Sequence, residues 1–515
     1  MKNLPIGIQT LTQIREKNCV YVDKTQLVHQ LVSQGKYYFL ARPRRFGKSL
    51  LISTLKELFE GNKAVFEGLW IEPQWDWGKV SPVLHLSFDA MGYDAVGLEN
   101  SLLYELKRWA EHYKVQFTAS NYKTQFKELI QQVAATHGKI VLLIDEYDKP
   151  IIDYLERSTM DRAKANRDIL REFYGVLKSA DEQLELVFIT GISKFAKVSI
   201  FSHLNNLDDI TLDRNYATLT GYTQQELEIF FDEHLSAAEK TLNLSREALL
   251  ENMRIWYNGY SWDGVHRLYN PFGTLNFLSK KQFFNFWFAT GSPRFLVDQM
   301  RKQAWYNVEN AVVSNIVFER YDLDNIELIP LLFQTGYLTV KEADVMTGDL
   351  VVDYPNKEVR ESMYQFLIDD LAQNPHRTHT GRTIKDLQQA LLAQDLAQVQ
   401  TILNSILADL PSETFQKQSE GLYHGLVHLI FNYLGMFMDS EVHSAQGRAD
   451  AIVQTPTNVY IFEFKFNKSA QAAIEQIKQR NYAAKYRAGN KVITGIGVNF
   501  NAKEKGIDGW LEVEL

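Results

Sequence analysis

Four short apolar runs punctuate the first part of the chain: 37–41, Val83 to Phe88, Lys139 to Ile144 and Leu184 to Thr190, with helical periodicity between them. An unbroken apolar run of this length is the pattern of a strand buried on both faces, and its alternation with helices predicts an α/β fold, a doubly wound parallel sheet. From Gly221 the texture changes to helices rich in aromatic residues, with Glu226 to Phe231 and Ala248 to Tyr257 as examples. Rings at such density are expected in a core. Phe283 to Ala289 is the most apolar segment; it is too short to span a bilayer and is expected to be a buried helix. Ile326 to Phe333 then reads as a helix, Tyr337 to Lys341 and Leu350 to Tyr354 as a hairpin around Thr347-Gly348-Asp349, and Glu358 to Leu367 as a further helix. That order suggests a winged-helix-like middle, although Glu342, Asp344 and Asp349 on its hairpin weigh against DNA binding there. A polar loop from Gln373 to Arg382 leads into a helical linker, Leu387 to Ile406.

With 515 residues, 45% hydrophobic and 23% charged, the chain has the composition of a globular protein of several domains. The net charge of -8 argues against a whole-surface nucleic-acid binder and leaves room only for a local basic groove. A single cysteine, Cys19, excludes an intramolecular disulfide and reads as a small buried thiol in a reducing compartment. Met1 to Thr10 lack the pattern of a secretion signal and no window suits a membrane helix, so the expectation is a cytoplasmic protein without a membrane partner.

Candidate chemistry begins at Arg42-Pro43-Arg44-Arg45-Phe46-Gly47-Lys48-Ser49, which follows the first apolar run and opens an amphipathic helix. This is the order of a P-loop NTPase, in which backbone N–H groups and a helix N-terminus attract a triphosphate. Arg45, Phe46, Gly47, Lys48 and Ser49 would cradle ATP, Lys48 reaching the outer phosphates and Ser49 ligating Mg²⁺. Arg42 stands where the general pattern has glycine and restricts the turn. Asp145 and Glu146 end the third apolar run, where open α/β sheets bind ligands. Asp145 can hold Mg²⁺ through water and Glu146 can orient the attacking water; the plainer alternative is an acid capping the next helix. Thr190 and Ser193 leave the fourth strand on the same side as possible phosphate sensors, or as an ordinary strand-end turn. Arg44, Arg45 and Arg294 are open candidates for an arginine finger.

The terminal part offers a second constellation. Asp450 begins one short strand, and Glu463 and Lys465, two apart on the next, project from one face of a hairpin. Charges inside an aromatic strand are expensive unless they bind something, although an edge strand with a solvated Glu-x-Lys face is the simpler account. Two carboxylates can hold Mg²⁺ while an ammonium positions water at a phosphodiester. A helix expected over Ala470 to Arg487 carries Lys478, Arg480, Lys485 and Arg487, which suits a polyanion. Zinc is not expected: His376 and His379 lie on a loop without acidic neighbours, and the residue after His424 in the His424/His428 pair is Gly425 rather than Glu.

On these residues the chain resembles a family of bacterial and archaeal proteins that pair a predicted AAA-type ATPase domain with a C-terminal PD-(D/E)XK nuclease-like domain. Tyr21-Val22-Asp23-Lys24-Thr25, the 42–49 loop with its Arg42, Ile144 to Pro150, Trp256-Tyr257-Asn258-Gly259-Tyr260 and Tyr269-Asn270-Pro271 resemble its ATPase boxes. Asp450, Glu463 and Lys465 match the nuclease pattern, Gln476 and Tyr482 resemble the polar helix positions that follow it, and Glu420 is a candidate accessory acid. The resemblance implies a P-loop AAA-like domain over 1–215, a helical lid over 216–310, a winged-helix-like unit over 311–372, a helical linker over 373–410 and a restriction-endonuclease-like α/β domain over 411–515. It implies ATP and Mg²⁺ as cofactors, nucleic acid (DNA or RNA) as partner, and room for an oligomer. Two functions remain open: an ATP hydrolase coupled to a Mg²⁺-dependent endonuclease with Glu146, Asp450, Glu463 and Lys465 catalytic, or a nucleotide-driven switch that binds without cutting.

Overall fold

The computed structural model describes the chain apart from residues 157, 195–199, 202–203, 205, 291–293, 303–307, 319–326, 345, 373–379, 409–418, 437, 443–448, 502 and 504–505. His376 and His379 lie outside the described residues, as do the side chains of Arg294, Glu420 and His424. Two compact units emerge, one of Met1–Phe295 with Glu309–Glu358, the other of Leu296–Val308 with Val359–Leu515.

In the first unit the apolar runs become β1 (Tyr37–Ala41), β2 (Val83–Ser87), β3 (Ile140–Asp145) and β4 (Leu184–Gly191), joined by the short β5 (Asp208–Asp209). All pair in parallel in the order β2-β3-β4-β1-β5. Every residue of β1 and β3 is buried, because helices cover both faces of a parallel sheet. The helix Lys48–Phe59 places Leu51, Ile52, Leu55, Leu58 and Phe59 in that core. The loops after β1, β3 and β4 therefore meet at one carboxyl edge, the usual place for ligands in such sheets.

Helices Gln224–Phe230, Asp232–Leu242, Arg246–Tyr257 and Pro271–Lys280 follow, built around Leu227, Phe231, Leu235, Met253, Tyr257 and Phe277. Phe283 to Ala289 is not the expected helix. The Tyr257 hydroxyl donates to the Phe284 carbonyl and accepts from the Phe284 N–H, both at 3.1 Å, which holds the backbone on an irregular path. Phe283 stacks on Phe277 with centroids 4.4 Å apart, and only Phe288–Thr290 makes a 3₁₀ turn. The helix Leu328–Thr335 and the hairpin of β7 (Thr339–Ala343) and β8 (Asp349–Asp353) form as expected, and β6 (Ala311–Ser314) adds a third antiparallel strand beside β8.

The second unit carries a mixed sheet of β9 (Asp439–Val442), β10 (Ala451–Gln454), β11 (Asn458–Phe466), β12 (Val492–Asn501) and β13 (Gly506–Glu514), ordered β13-β12-β11-β10-β9. Only β11 and β12 run parallel. Leu387 to Ile406 is two helices rather than one linker: Thr380–Leu392 and Leu396–Ala408 are broken at Gln394, whose φ is 62°. Both belong to the body of the unit, since Tyr460 donates to the Leu391 carbonyl and Asn404 accepts from the Ile507 N–H. The basic helix stops at Gln479, not Arg487, because Asn481 takes a left-handed φ of 51°. Among the described residues no helix is long and apolar enough to cross a membrane.

The helix Ala470–Gln479 lies so close to β12 that a β-carbon on Gly497 would stand 2.4 Å from the Ala470 carbonyl oxygen. Gly497→Ala should overpack this contact by about 1–3 kcal/mol. For a unit of this size that is a fall in thermal midpoint of ~2–12 °C, read by calorimetry, whereas Gly489→Ala, with its nearest neighbour at 3.5 Å, should change it little.

Candidate functional site

The phosphate loop is held from behind by its first residue. Arg42 is 1% exposed, and its guanidinium donates to the carbonyls of Ala41 at 2.9 Å, Thr211 at 2.8 Å and Tyr216 at 3.4 Å. It also stacks over the Trp262 ring, 4.0 Å from the centroid. Burial lowers its pKa to about 9, opposed by Asp209 and Asp263, so it stays charged at neutral pH. The expected cost of a non-glycine here does not arise: Arg42 is not among the positive-φ residues, and the left-handed positions of the loop are Arg45 (φ 65°) and Gly47 (φ 90°). Gly47 then caps the helix that Lys48 begins. Phe46 is fully buried edge-on against Tyr260 and Trp262, at 4.9 and 5.2 Å, and the Trp287 indole N–H donates to the Arg44 carbonyl at 3.1 Å. The aromatic boxes thus clamp the outside of the loop.

Lys48 is buried and donates to the carbonyls of Arg42 at 2.9 Å and Pro43 at 3.0 Å. Burial lowers its pKa, while Asp145, Glu146 and Asp148 oppose that shift. Asp145 is buried at the end of β3 and accepts from the Thr190 hydroxyl at 2.6 Å. Glu146 has the unusual φ of 54°, and burial raises its carboxyl pKa. Asp148, which the sequence marks only as part of the Ile144 to Pro150 box and with no role of its own, is fully buried and accepts from the Ile192 N–H, the Ser193 N–H and the Ser193 hydroxyl at 3.1, 2.6 and 2.7 Å. Thr190 and Ser193 are therefore engaged with carboxylates, which ties β4 to the acidic turn after β3.

Arg44, Arg45, Phe46, Gly47, Lys48, Ser49 and Glu146 line one cavity of about 380 Å³. Arg45 lies over the Phe272 ring, 4.9 Å from its centroid. Further lining comes from Pro5 and Gly7 to Gln9, Val20 to Val22, Lys24, Leu219 to Tyr222, Pro271, Phe272 and Leu275; Tyr21 to Lys24 and Pro271 belong to the boxes picked out in the sequence, whereas the segments at 5–9 and 219–222 carry no such mark. Lys24 fastens two parts of that wall, donating to both carboxylate oxygens of Glu226 at 2.6 and 2.7 Å. Glu226 at the same time completes the capping box with Thr223.

In the second unit β10 and β11 form the expected hairpin, with Ala451 opposite Phe462, so that Asp450 and Glu463 come together. Asp450 accepts from the Phe464 N–H at 2.8 Å. Glu463 is 1% exposed, and one carboxylate oxygen accepts from Lys465 at 2.8 Å while the other is buried without a partner. Burial and then Asp450 push its pKa up to about 7, with Lys465 opposing. Lys465 also donates to Gln476 at 2.8 Å, and Gln476 to the Tyr482 hydroxyl at 3.3 Å. The opposite face of β11 stacks Phe462, Phe464 and Phe500. Among the described residues no three His, Cys, Asp or Glu side chains converge as a metal cluster. Asp450 and Glu463 are thus a two-carboxylate site, and the buried unpartnered oxygen suits a hard cation that keeps several waters. His428 faces Asn432 at 2.8 Å, and burial lowers its pKa to about 4.

Comparisons with known proteins match this division. Residues 5–201 match the family described as predicted AAA-ATPase, and residues 418–510 match the PD-(D/E)XK nuclease superfamily. The chain is 37% identical to the uncharacterized protein in the vnfD 5' region of Azotobacter chroococcum mcd 1 over 527 aligned positions, covering 100% of this chain and 99% of that protein. Among solved structures, the Aeropyrum pernix ORC1 protein in complex with DNA aligns with a TM-score of 0.25 at 10% identity, over 66% of this chain and 92% of that one. The chain belongs to the family that joins a predicted AAA-ATPase domain to a C-terminal PD-(D/E)XK nuclease superfamily domain.

Proposed function

We propose that the protein binds and hydrolyses ATP at the loop after β1, and that this ATPase is coupled to a Mg²⁺-dependent nucleic-acid phosphodiesterase at Asp450, Glu463 and Lys465. In this reading residues 1–215 are the ATPase part and 216–310 its lid. Residues 311–372 and 373–410 lie between these and the nuclease part, 411–515. The observation that carries it is the convergence of Lys48, Ser49 and Glu146 on one cavity beside a buried Asp145. Lys48 exchanges its loop carbonyls for phosphate oxygens, and Glu146 orients the attacking water. Mg²⁺, held by Ser49 and Asp145 in the first unit and by Asp450 and Glu463 in the second, would supply charge neutralisation and an activated water. Lys478, Arg480 and Lys485 are exposed, and they would provide contacts to a phosphate backbone of DNA or RNA.

Lys48→Ala should abolish ATP binding, and Glu146→Gln should retain binding while slowing turnover by ~10²–10⁴-fold. Titration with a labelled ATP analogue alongside phosphate release separates the two defects. Unchanged affinity and turnover in Lys48→Ala would place the nucleotide elsewhere.

For the second site, Asp450→Ala and Glu463→Ala should each weaken Mg²⁺ binding and remove cleavage, while Lys465→Ala should keep the metal and lose the chemical step, since an ammonium cannot ligate a cation. The raised Glu463 pKa sets the pH dependence: protonated below about 7, the carboxyl gains its metal-binding charge as pH rises through that value. Because Mg²⁺ competes with that proton, the midpoint of the cleavage profile should move to lower pH as Mg²⁺ is raised. A midpoint independent of Mg²⁺ would contradict the assignment; a wild type that binds Mg²⁺ and nucleic acid without cutting any substrate would favour the non-cutting switch.

A further inference from the structure

We propose that Lys149 is a catalytic cation supplied in cis, which leaves its carboxylate partners for the outermost phosphate of bound ATP. The inference rests on the ATP-hydrolysing reading of the first unit. Lys149 lines the same cavity as Lys48, Ser49 and Glu146, and its side chain is 25% exposed. Its ammonium stands 2.8 Å from Asp153 Oδ2 and 3.9 Å from Asp89 Oδ1.

Both partners can release it cheaply. Asp153 Oδ2 also accepts from the Tyr93 hydroxyl at 2.7 Å, so the carboxylate keeps a donor when Lys149 departs. Asp89 is 73% exposed and stays hydrated. No buried polar atom is stranded by the exchange, which is the condition under which an ion pair can be swapped. The flexible lysine stem allows the swing, and a compact ammonium acts as a point charge on phosphate oxygens.

Of the other cations on the wall, Lys48 starts on the carbonyls of its own loop, Lys24 is paired with Glu226 and Arg45 is stacked on Phe272, while the exposed Arg44 is a second candidate for the same phosphate. In the reaction, the water oxygen bonds to the γ-phosphorus as the bond from that phosphorus to the bridging oxygen of ADP breaks. The water proton passes to Glu146, ADP and phosphate leave, and Lys149 offsets the charge on the outer phosphoryl oxygens.

The full chain with Mg²⁺ serves for the test, using affinities for labelled ADP and a non-hydrolysable ATP analogue together with turnover. Lys149→Ala should bind ADP within about threefold of wild type, bind the ATP analogue about tenfold more weakly and lose about a hundredfold or more in turnover. Asp153→Asn, whose amide oxygen still accepts from Tyr93, should keep turnover within about threefold. Thermal midpoints near that of wild type certify the fold. The proposal is overturned if Lys149→Ala turns over normally, or if Asp153→Asn falls as far as Lys149→Ala, because the pair is then structural. A wild type that neither binds nor hydrolyses ATP overturns the underlying reading as well, and is recognised by its being indistinguishable from Lys48→Ala.

Discussion

A buried guanidinium organises the first unit. Arg42 has almost no access to water, so its charge must be met inside the protein, and carbonyls from Ala41, Thr211 and Tyr216 with the face of Trp262 meet it. Those groups come from the loop's own strand, from the segment beyond β5 and from the aromatic accessory region. The path of the phosphate loop is thus tied to three parts of the sequence at once. Asp209, which opposes the burial of Arg42, also pairs with the buried Lys194 at 2.7 Å, so the edge of the sheet is fixed by charge as well as by apolar packing.

Both candidate sites hold their lysine against protein acceptors. Lys48 rests on two backbone carbonyls, and Lys465 on Glu463 and Gln476. Each site also keeps a carboxylate under tension from burial, Glu146 in one and Glu463 in the other. Burial of like charges costs stability, and a cation or a phosphate–metal complex offsets that cost.

Much of this was legible because strand burial and strand ends are local signals. The runs at 37–41, 83–88, 139–144 and 184–190 become strands, and the period of two along β11 puts Glu463 and Lys465 on one face. What stayed hidden depends on distant contacts. The segments at 5–9 and 219–222, which help line the cavity, carry no Asp, Glu, Lys, Arg or His to mark them in the sequence. Composition does not separate Asp148 from Asp145, because its role follows from burial against Ser193. The break at Gln394 leaves no mark in the sequence, because apolar spacing continues on both sides of it. Phe283 to Ala289 departs from the expected helix because a single hydroxyl, that of Tyr257, takes both hydrogen bonds of Phe284. Arg42 illustrates the general point: a residue that departs from a motif can replace backbone freedom with a set of tertiary bonds.

That substitution makes the account directly testable. Arg42→Gly restores the general phosphate-loop pattern while deleting the buried guanidinium. If the tertiary bonds of Arg42 hold the loop in its binding geometry, calorimetric titration with an ATP analogue and Mg²⁺ should show affinity reduced by about tenfold or more, since each lost buried hydrogen bond costs ~1 kcal/mol. Affinity equal to or tighter than wild type would contradict it.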